Sequence, residues 1–165
     1  ISRLIKYDNA KVNINILKSM TAIQKNRGPD DEGYLIKSNW GMGHCRLSII
    51  DLSNGKQPMS TRNKSIHLIF NGEIFNYKRL RQEVENFGYN FQTNSDTEVI
   101  LLGYDLWGKR ILDKLNGMFV FAILDSNKNE VFIARDRFGI KPLYYLKDRN
   151  QFGFSTNINS LKMGP

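Results

Sequence analysis

The chain has 165 residues, 41% hydrophobic and 24% charged, which is ordinary globular usage and enough length for one domain with a sizeable core. No apolar run approaches the 18 or so residues of a membrane span, ISRLIKYDNAKVN lacks the apolar stretch of a secretory signal, and a single cysteine, Cys45, excludes an internal disulfide and fits a reducing compartment, the cytoplasm. The net charge of +8 raises nucleic acid as a partner, but the basic residues stand singly or in pairs with no run of five, so we expect no nucleic-acid and no membrane partner, the charge serving solubility or docking against an acidic neighbouring domain.

Along the chain, Val12, Ile16, Met20 and Ile23 recur at spacings of four, four and three. They predict one helix over 10–25, with Asp8 and Asn9 as N-cap candidates. RGPDDEG (27–33) has the turn chemistry of a loop. GMGHCRLSII (41–50) predicts a strand, followed by a turn at Asn54 and Gly55. IHLIF (66–70) is a short apolar strand that delivers NGEIFN (71–76) at its end. A helix follows over 77–87, with Leu80, Val84 and Phe87 on one face and Gly88 as its stop. YNFQT (89–93) alternates like a strand. Ser95 and Glu98 have the spacing of a capping box, in which Ser95 bonds the Glu98 amide and Glu98 reaches back. The helix they open carries Val99, Leu102 and Leu106 and ends at Gly108. FVFAILD with VFIARD (119–125, 131–136) and PLYYL with FGFS (142–146, 152–155) predict two hairpins. Helices and strands are segregated and the strands join by hairpins, so the expected class is a layered sandwich with largely antiparallel sheets.

Among the polar groups, Asn71-Gly72 at a strand end offers a carboxamide and an unobstructed backbone N–H. That pair of neutral donors suits a developing oxyanion, and losing one such donor costs about 3 kcal/mol. As an isolated dipeptide, Asn-Gly more often simply makes a turn. Arg46, within GHCRLS, is suited to clamp a carboxylate with two parallel bonds. Asp96 opens a helix and is suited to an ammonium group, so an Arg and an acid would together grip a free amino acid. Taken alone, surface pairing of Arg46 and a helix-end role for Asp96 explain both residues better than ligand binding does. Cys45 is a poor nucleophile, because its neighbour His44 points to the opposite face of a strand. His44 and His67 lack the spacing of a metal site. No phosphate-binding glycine loop is present.

Four stretches, RGPDDEG (27–33), GHCRLSIIDLSNGKQPM (43–59), FNGEIFNY (70–77) and SDTEV (95–99), strongly resemble the glutaminase domain of glutamine-hydrolysing asparagine synthetases. GMFVFAILD and ARDRFGIKPLYY (117–125, 134–145) do so too, in the expected order over nearly the whole chain. The resemblance implies an α+β fold, the four-layer αββα sandwich of the N-terminal-nucleophile hydrolases, with mainly antiparallel sheets. It implies a class II glutamine amidotransferase. In such an enzyme an N-terminal cysteine attacks the side-chain amide of L-glutamine, its own α-amine acts as base, and water releases glutamate from a thioester. The ammonia then passes to a synthetase domain that uses ATP and Mg to amidate an adenylated aspartate. Carried over by motif, Arg46 would hold the glutamine carboxylate and Asn71 and Gly72 would form the oxyanion hole. Glu73 and Asp96 would contact the glutamine, Asp96 through its α-amine. No cofactor or metal is expected in this domain.

One departure is serious. The family begins Cys-Gly-Ile or similar within its first strand, whereas this chain begins Ile1-Ser2-Arg3. Counting back from RGPD, about five residues are expected ahead of Ile1. Ile1 has no nucleophilic atom and Ser2 is out of register, so the sequence as given should not hydrolyse glutamine by the family mechanism. Either the first residues are missing, or the domain is degenerate and binds or docks without hydrolysing. The intact binding motifs favour the first. STNINSLKMGP at the end resembles the connection into the synthetase domain, so residues 1–165 are expected to be the first part of a longer enzyme.

Overall fold

A computed structural model describes residues 1–7, 10–47 and 55–163. In chain order its first half contains β1 (Ser2–Lys6), α1 (Ile14–Ala22), β2 (Asp31–Lys37), β3 (Trp40–Arg46), β4 (Met59–Ser60), β5 (Ile66–Ile74) and α2 (Tyr77–Asn86). Then come α3 (Asp96–Trp107), α4 (Ile111–Lys114), β6 (Gly117–Asp125), β7 (Glu130–Arg135), β8 (Tyr144–Lys147), β9 (Gln151–Ser155) and α5 (Ile158–Lys162). They fall into two compact units, one formed by Ile1–Leu47 with Pro142–Pro165 and the other by Ser48–Lys141.

The first unit is a five-stranded sheet in the order β2-β3-β1-β9-β8, with every pairing antiparallel. Helix α1 lies on one face, and two glycines decide how closely. A Cβ on Gly43 would come within 2.1 Å of Thr21 Oγ1, and one on Gly41 within 2.9 Å of Leu17 Cδ2. The helix therefore rests on bare backbone of β3. Its cap is Asn13, whose side chain accepts from the Asn15 N–H at 2.8 Å, while Asp8 and Asn9, the expected caps, lie outside the described residues. Because the helix starts at Ile14, its buried face is Leu17, Met20, Thr21 and, just beyond it, Gln24. Ile16 is only half-buried, a correction to the expected stripe that follows from the 100° step per residue. Gln24 Nε2 donates to Ser2 Oγ and ties the helix end to β1. RGPDDEG is less of a loop than expected: a tight turn occupies Lys25–Arg27 and β2 begins at Asp31, because β3 offers it a full antiparallel partner. The strand expected over 41–50 runs over Trp40–Arg46; 48–50, and Asn54 of the expected turn, lie outside the described residues.

The second unit is a four-stranded antiparallel sheet, β4-β5-β6-β7. Ile66, Leu68, Phe70 and Ile74 of β5 pack with Phe119, Phe121 and Ile123 of β6 against Leu80, Val99, Ile100, Leu101 and Tyr104. The helices α2 and α3 thus cover one face of this sheet. Helix α2 ends one residue early, so Phe87 is 66% exposed rather than on the buried face, and Gly88 at φ +87° stops it as expected. YNFQT forms no strand. Its backbone is bound instead by the Glu98 carboxylate, which accepts from the N–H groups of Gln92 at 2.9 Å and Thr93 at 2.7 Å. Half of the capping box forms, since Ser95 Oγ accepts from the Glu98 N–H at 3.3 Å, but Glu98 reaches past Ser95 to these two residues. The hairpins β6–β7 and β8–β9 form as expected.

Candidate functional site

Asn71-Gly72 is neither a turn nor the end of the strand. β5 continues through it to Ile74, with Asn71 opposite Val120 and Gly72 opposite Phe119 of β6. Gly72 adopts φ +153°, and a Cβ there would sit 2.1 Å from the Met118 carbonyl oxygen and 2.7 Å from Phe119 Cα. Only glycine lets β6 run this close.

The backbone polarity of this strand decides what the site presents. The N–H of Phe70 donates to Gln57 Oε1 at 2.6 Å, and that of Ile74 donates to Asp96 Oδ2 at 3.0 Å. Both leave β5 on the side away from β6. The Phe119 N–H and C=O, opposite Gly72, are engaged by Asp136 Oδ2 at 3.2 Å and the Asp136 N–H at 2.8 Å, on the β7 side. Gly72 therefore belongs to a pair whose groups point away from each other. Its N–H points the same way as those of Phe70 and Ile74, and β4 ends before reaching it. Among the described residues the N–H groups on either side are taken and that of Gly72 has no acceptor.

The α3 N-terminus meets this edge. Asp96, 5% exposed, is the first residue of the helix, and its carboxylate accepts from the Ile74 N–H. Burial is the main cause that raises the Asp96 pKa; the N–H groups of Ile74, Thr97 and Asp96 itself oppose it, and the nearby Glu73 charge raises it further. Glu73 and Asp96 thus place two acids within electrostatic reach of one another, and neither forms an ion pair among the described residues. Such a site favours a cation. Gln57 fixes the spacing: its Oε1 binds β5 at Phe70 and its Nε2 donates to Thr97 Oγ1 at 3.4 Å.

Arg46 belongs to the first unit, where it ends β3 and is buried. The RGPD turn lies across this strand end. A Cβ on Gly28 would be 2.6 Å from the Cys45 carbonyl carbon and 2.8 Å from the Arg46 nitrogen, and the Asp30 N–H donates to the Arg46 carbonyl at 3.0 Å. Cys45 faces α1, where its thiol donates to the Thr21 carbonyl at 3.2 Å, and burial pushes its pKa up. It is held as a thiol, away from a nucleophile's role.

Three organising residues emerge only from the structure: Gln57, Glu98 in its actual role, and Asp136. The Asp136 carboxylate accepts from the N–H groups of Phe119, Ile140 (2.9 Å) and Lys141 (3.0 Å), and so shapes the turn after β7. Burial alone would raise its pKa, but donors on Lys141, Ile140, Phe119 and Phe138 outweigh that and hold it below the usual carboxylate range. An Asp directly after an apolar strand and three residues before Gly139 is the local signal that marks it.

The edge of the second sheet thus offers an unclaimed N–H between two claimed ones, beside two neighbouring acids. The family model of the glutamine amidotransferase domain matches residues 3–165. The chain belongs to that family. It is 46% identical over 146 residues to asparagine synthetase [glutamine-hydrolyzing] 1 of Bacillus subtilis, covering 88% of this chain and 23% of that protein. To asparagine synthetase [glutamine-hydrolyzing] 2 of the same organism it is 47% identical over 151 residues, covering 92% of this chain and 20% of that one. The chain thus spans about a fifth to a quarter of these relatives. In fold it is similar to the glutamine phosphoribosylpyrophosphate amidotransferase of B. subtilis, with a TM-score of 0.78 over 99% of this chain and 43% of that chain at 20% identity. The α+β class with antiparallel sheets expected from the sequence is therefore the observed one.

Proposed function

We propose that this chain is the glutamine-hydrolysing portion of an asparagine synthetase, and that the edge of β5 with the start of α3 binds its L-glutamine. The observation that carries the reading is the Gly72 N–H, flanked by engaged donors and with no acceptor of its own among the described residues. In this reading Gly72 N–H and the Asn71 carboxamide donate to the amide oxygen of glutamine as it becomes an oxyanion. Both donors sit in a strand paired along its length, so they are fixed before the charge develops. Asp96 and Glu73 take the α-ammonium group, whose positive charge offsets the cost of holding two acids together.

The attacking thiol is assigned to an N-terminal cysteine ahead of Ile1, with its α-amine as base. The ammonia is consumed by a synthetase portion outside these residues, to which we assign ATP, Mg and the aspartate acceptor. The similarity to synthetases several times longer supports that division.

The test is glutamate release from glutamine by protein carrying Cys-Gly-Ile-type residues ahead of Ile1. Activity is expected there, and Asn71→Ala is expected to lower it at least tenfold, a floor set below the roughly hundredfold effect of losing one oxyanion donor. An Asn71→Ala protein with full activity would refute the assignment.

A further inference from the structure

Gln57 precedes β4 in the second unit, and its carboxamide bridges two elements that meet at the candidate site. Its Oε1 accepts from the Phe70 N–H of β5 at 2.6 Å, and its Nε2 donates to Thr97 Oγ1, in the first turn of α3, at 3.4 Å. A backbone N–H can only donate, so it fixes the amide orientation: the oxygen faces β5 and the nitrogen is turned toward the helix. Each anchor stands next to a residue of the site, since Phe70 precedes Asn71 and Gly72, and Thr97 follows Asp96.

A second tie between these elements is Asp96 itself, whose Oδ2 accepts from the Ile74 N–H at 3.0 Å. That carboxylate is also the group assigned to the α-ammonium of the substrate, so it cannot place the helix independently of the ligand. Val99 and Ile100 share an apolar core with β5, but burial of this kind is non-directional and does not fix the helix along the strand. The Gln57 bridge is directional and is separate from every group assigned to glutamine. What it holds is a length. Gly72 and Ile74 are two residues apart in an extended strand, about 7 Å, with the oxyanion donor at one end of that interval and the acid tied to the other. Removing one methylene, the difference between glutamine and asparagine, shortens an extended substrate by about 1.3 Å. A misplacement of about 1 Å costs on the order of a hundredfold in rate.

We propose that Gln57 is a positioning residue that sets the length of the amide substrate: by tying β5 to α3 it holds the Gly72 N–H and the Asp96 carboxylate at the span of glutamine and rejects asparagine. The inference rests on the glutamine-hydrolysing reading given above and adds to it a residue that acts without touching the substrate. The discrimination has a use in that reading. Asparagine is what the complete enzyme would release, and a site that accepted the shorter amide would hydrolyse the product.

The test compares hydrolysis of glutamine and of asparagine, each followed as ammonia release, by protein carrying Cys-Gly-Ile-type residues ahead of Ile1. Gln57→Met keeps the reach of the side chain and removes both bonds. Thr97→Val keeps the bond to Phe70 and removes only the helix end, and Thr97→Ser keeps the hydroxyl. The asparagine rate relative to the glutamine rate of the same preparation does not depend on how much of it is folded, so a loss of stability alone leaves it unmoved. That ratio should rise about tenfold in Gln57→Met and in Thr97→Val, chiefly through a lower kcat for glutamine at nearly unchanged KM, and should stay at the parent value in Thr97→Ser. Should Gln57→Met not fold, Thr97→Val decides, since it leaves the backbone donor satisfied. An unchanged ratio in Thr97→Val overturns the inference, while glutamine hydrolysis by the parent protein leaves the reading beneath it standing. A parent protein that releases no ammonia from glutamine overturns both.

Discussion

Replacing Gly72 with alanine tests the geometry on which the candidate site stands. The added Cβ would lie 2.1 Å from the Met118 carbonyl oxygen and 2.7 Å from Phe119 Cα, where real Cβ contacts stay beyond 3.0 Å. The strand it strikes cannot retreat easily, because β6 is paired with β5 on one side and β7 on the other. Relief of overpacking of this kind costs about 1–3 kcal/mol, and holding an L-residue at φ +153° adds about 1–3 kcal/mol. The sum, about 2–6 kcal/mol, is a large share of the stability of a typical domain. Gly88→Ala is the matched control: it also has a positive φ, +87°, but nothing lies within 4 Å of its Cβ, so it carries only the conformational penalty. Urea unfolding followed by circular dichroism and by the fluorescence of Trp40 and Trp107 should give a midpoint for Gly72→Ala well below that of Gly88→Ala, with unchanged slope. Agreement of the two variants within about 1 kcal/mol would show that the close approach of β6 is not what demands glycine.

Two further outcomes are expected. Asp96 has a raised folded-state pKa, so the folded state prefers its protonated form, and stability falls as pH rises from the unfolded value near about 4 toward the folded one. Asp96→Asn keeps an acceptor for the Ile74 N–H and should unfold at equal or higher urea at pH 7, while glutamine binding, read by calorimetry, falls at least tenfold; lower stability with intact binding would contradict both roles. Asp136 has the opposite sign. Its depressed pKa gives stability that is present above the unfolded value and lost as pH falls through the folded one, and Asp136→Asn should lose about 1–3 kcal/mol at pH 7 and flatten the acid limb of a pH–stability curve. An acid limb identical to that of wild type would show that the carboxylate does not hold the turn.

Much of this molecule is legible within a few residues of any point in the chain. The Ser95 cap, the stops at Gly88 and Gly108, the stripe of Leu80 and Val84 and both hairpins depend on contacts three or four positions apart or across a short turn. Local chemistry suffices for them. NGEI did not yield to it, because Asn-Gly serves a turn and a closely packed strand equally well. Only pairing with β6, more than forty positions later, selects the strand. YNFQT has a strand's alternation, yet no neighbouring strand offers it a ladder, and the Glu98 carboxylate takes its backbone instead.

The site divides in the same way. Residue types and order were sufficient to nominate Asn71, Gly72, Glu73, Asp96 and Arg46, because carboxamide, bare backbone, acid and guanidinium each have one kind of partner. The fold decided that Asp96 reaches the Ile74 N–H 22 positions away, that Gln57 occupies Phe70, and that the donor between them is left over. It also decided that Arg3, a surface residue by its type, is buried with no hydrogen-bond partner among the described residues. Hydrogen-bond direction and burial are properties of the packed neighbours, and a side chain's chemistry does not record who those neighbours are.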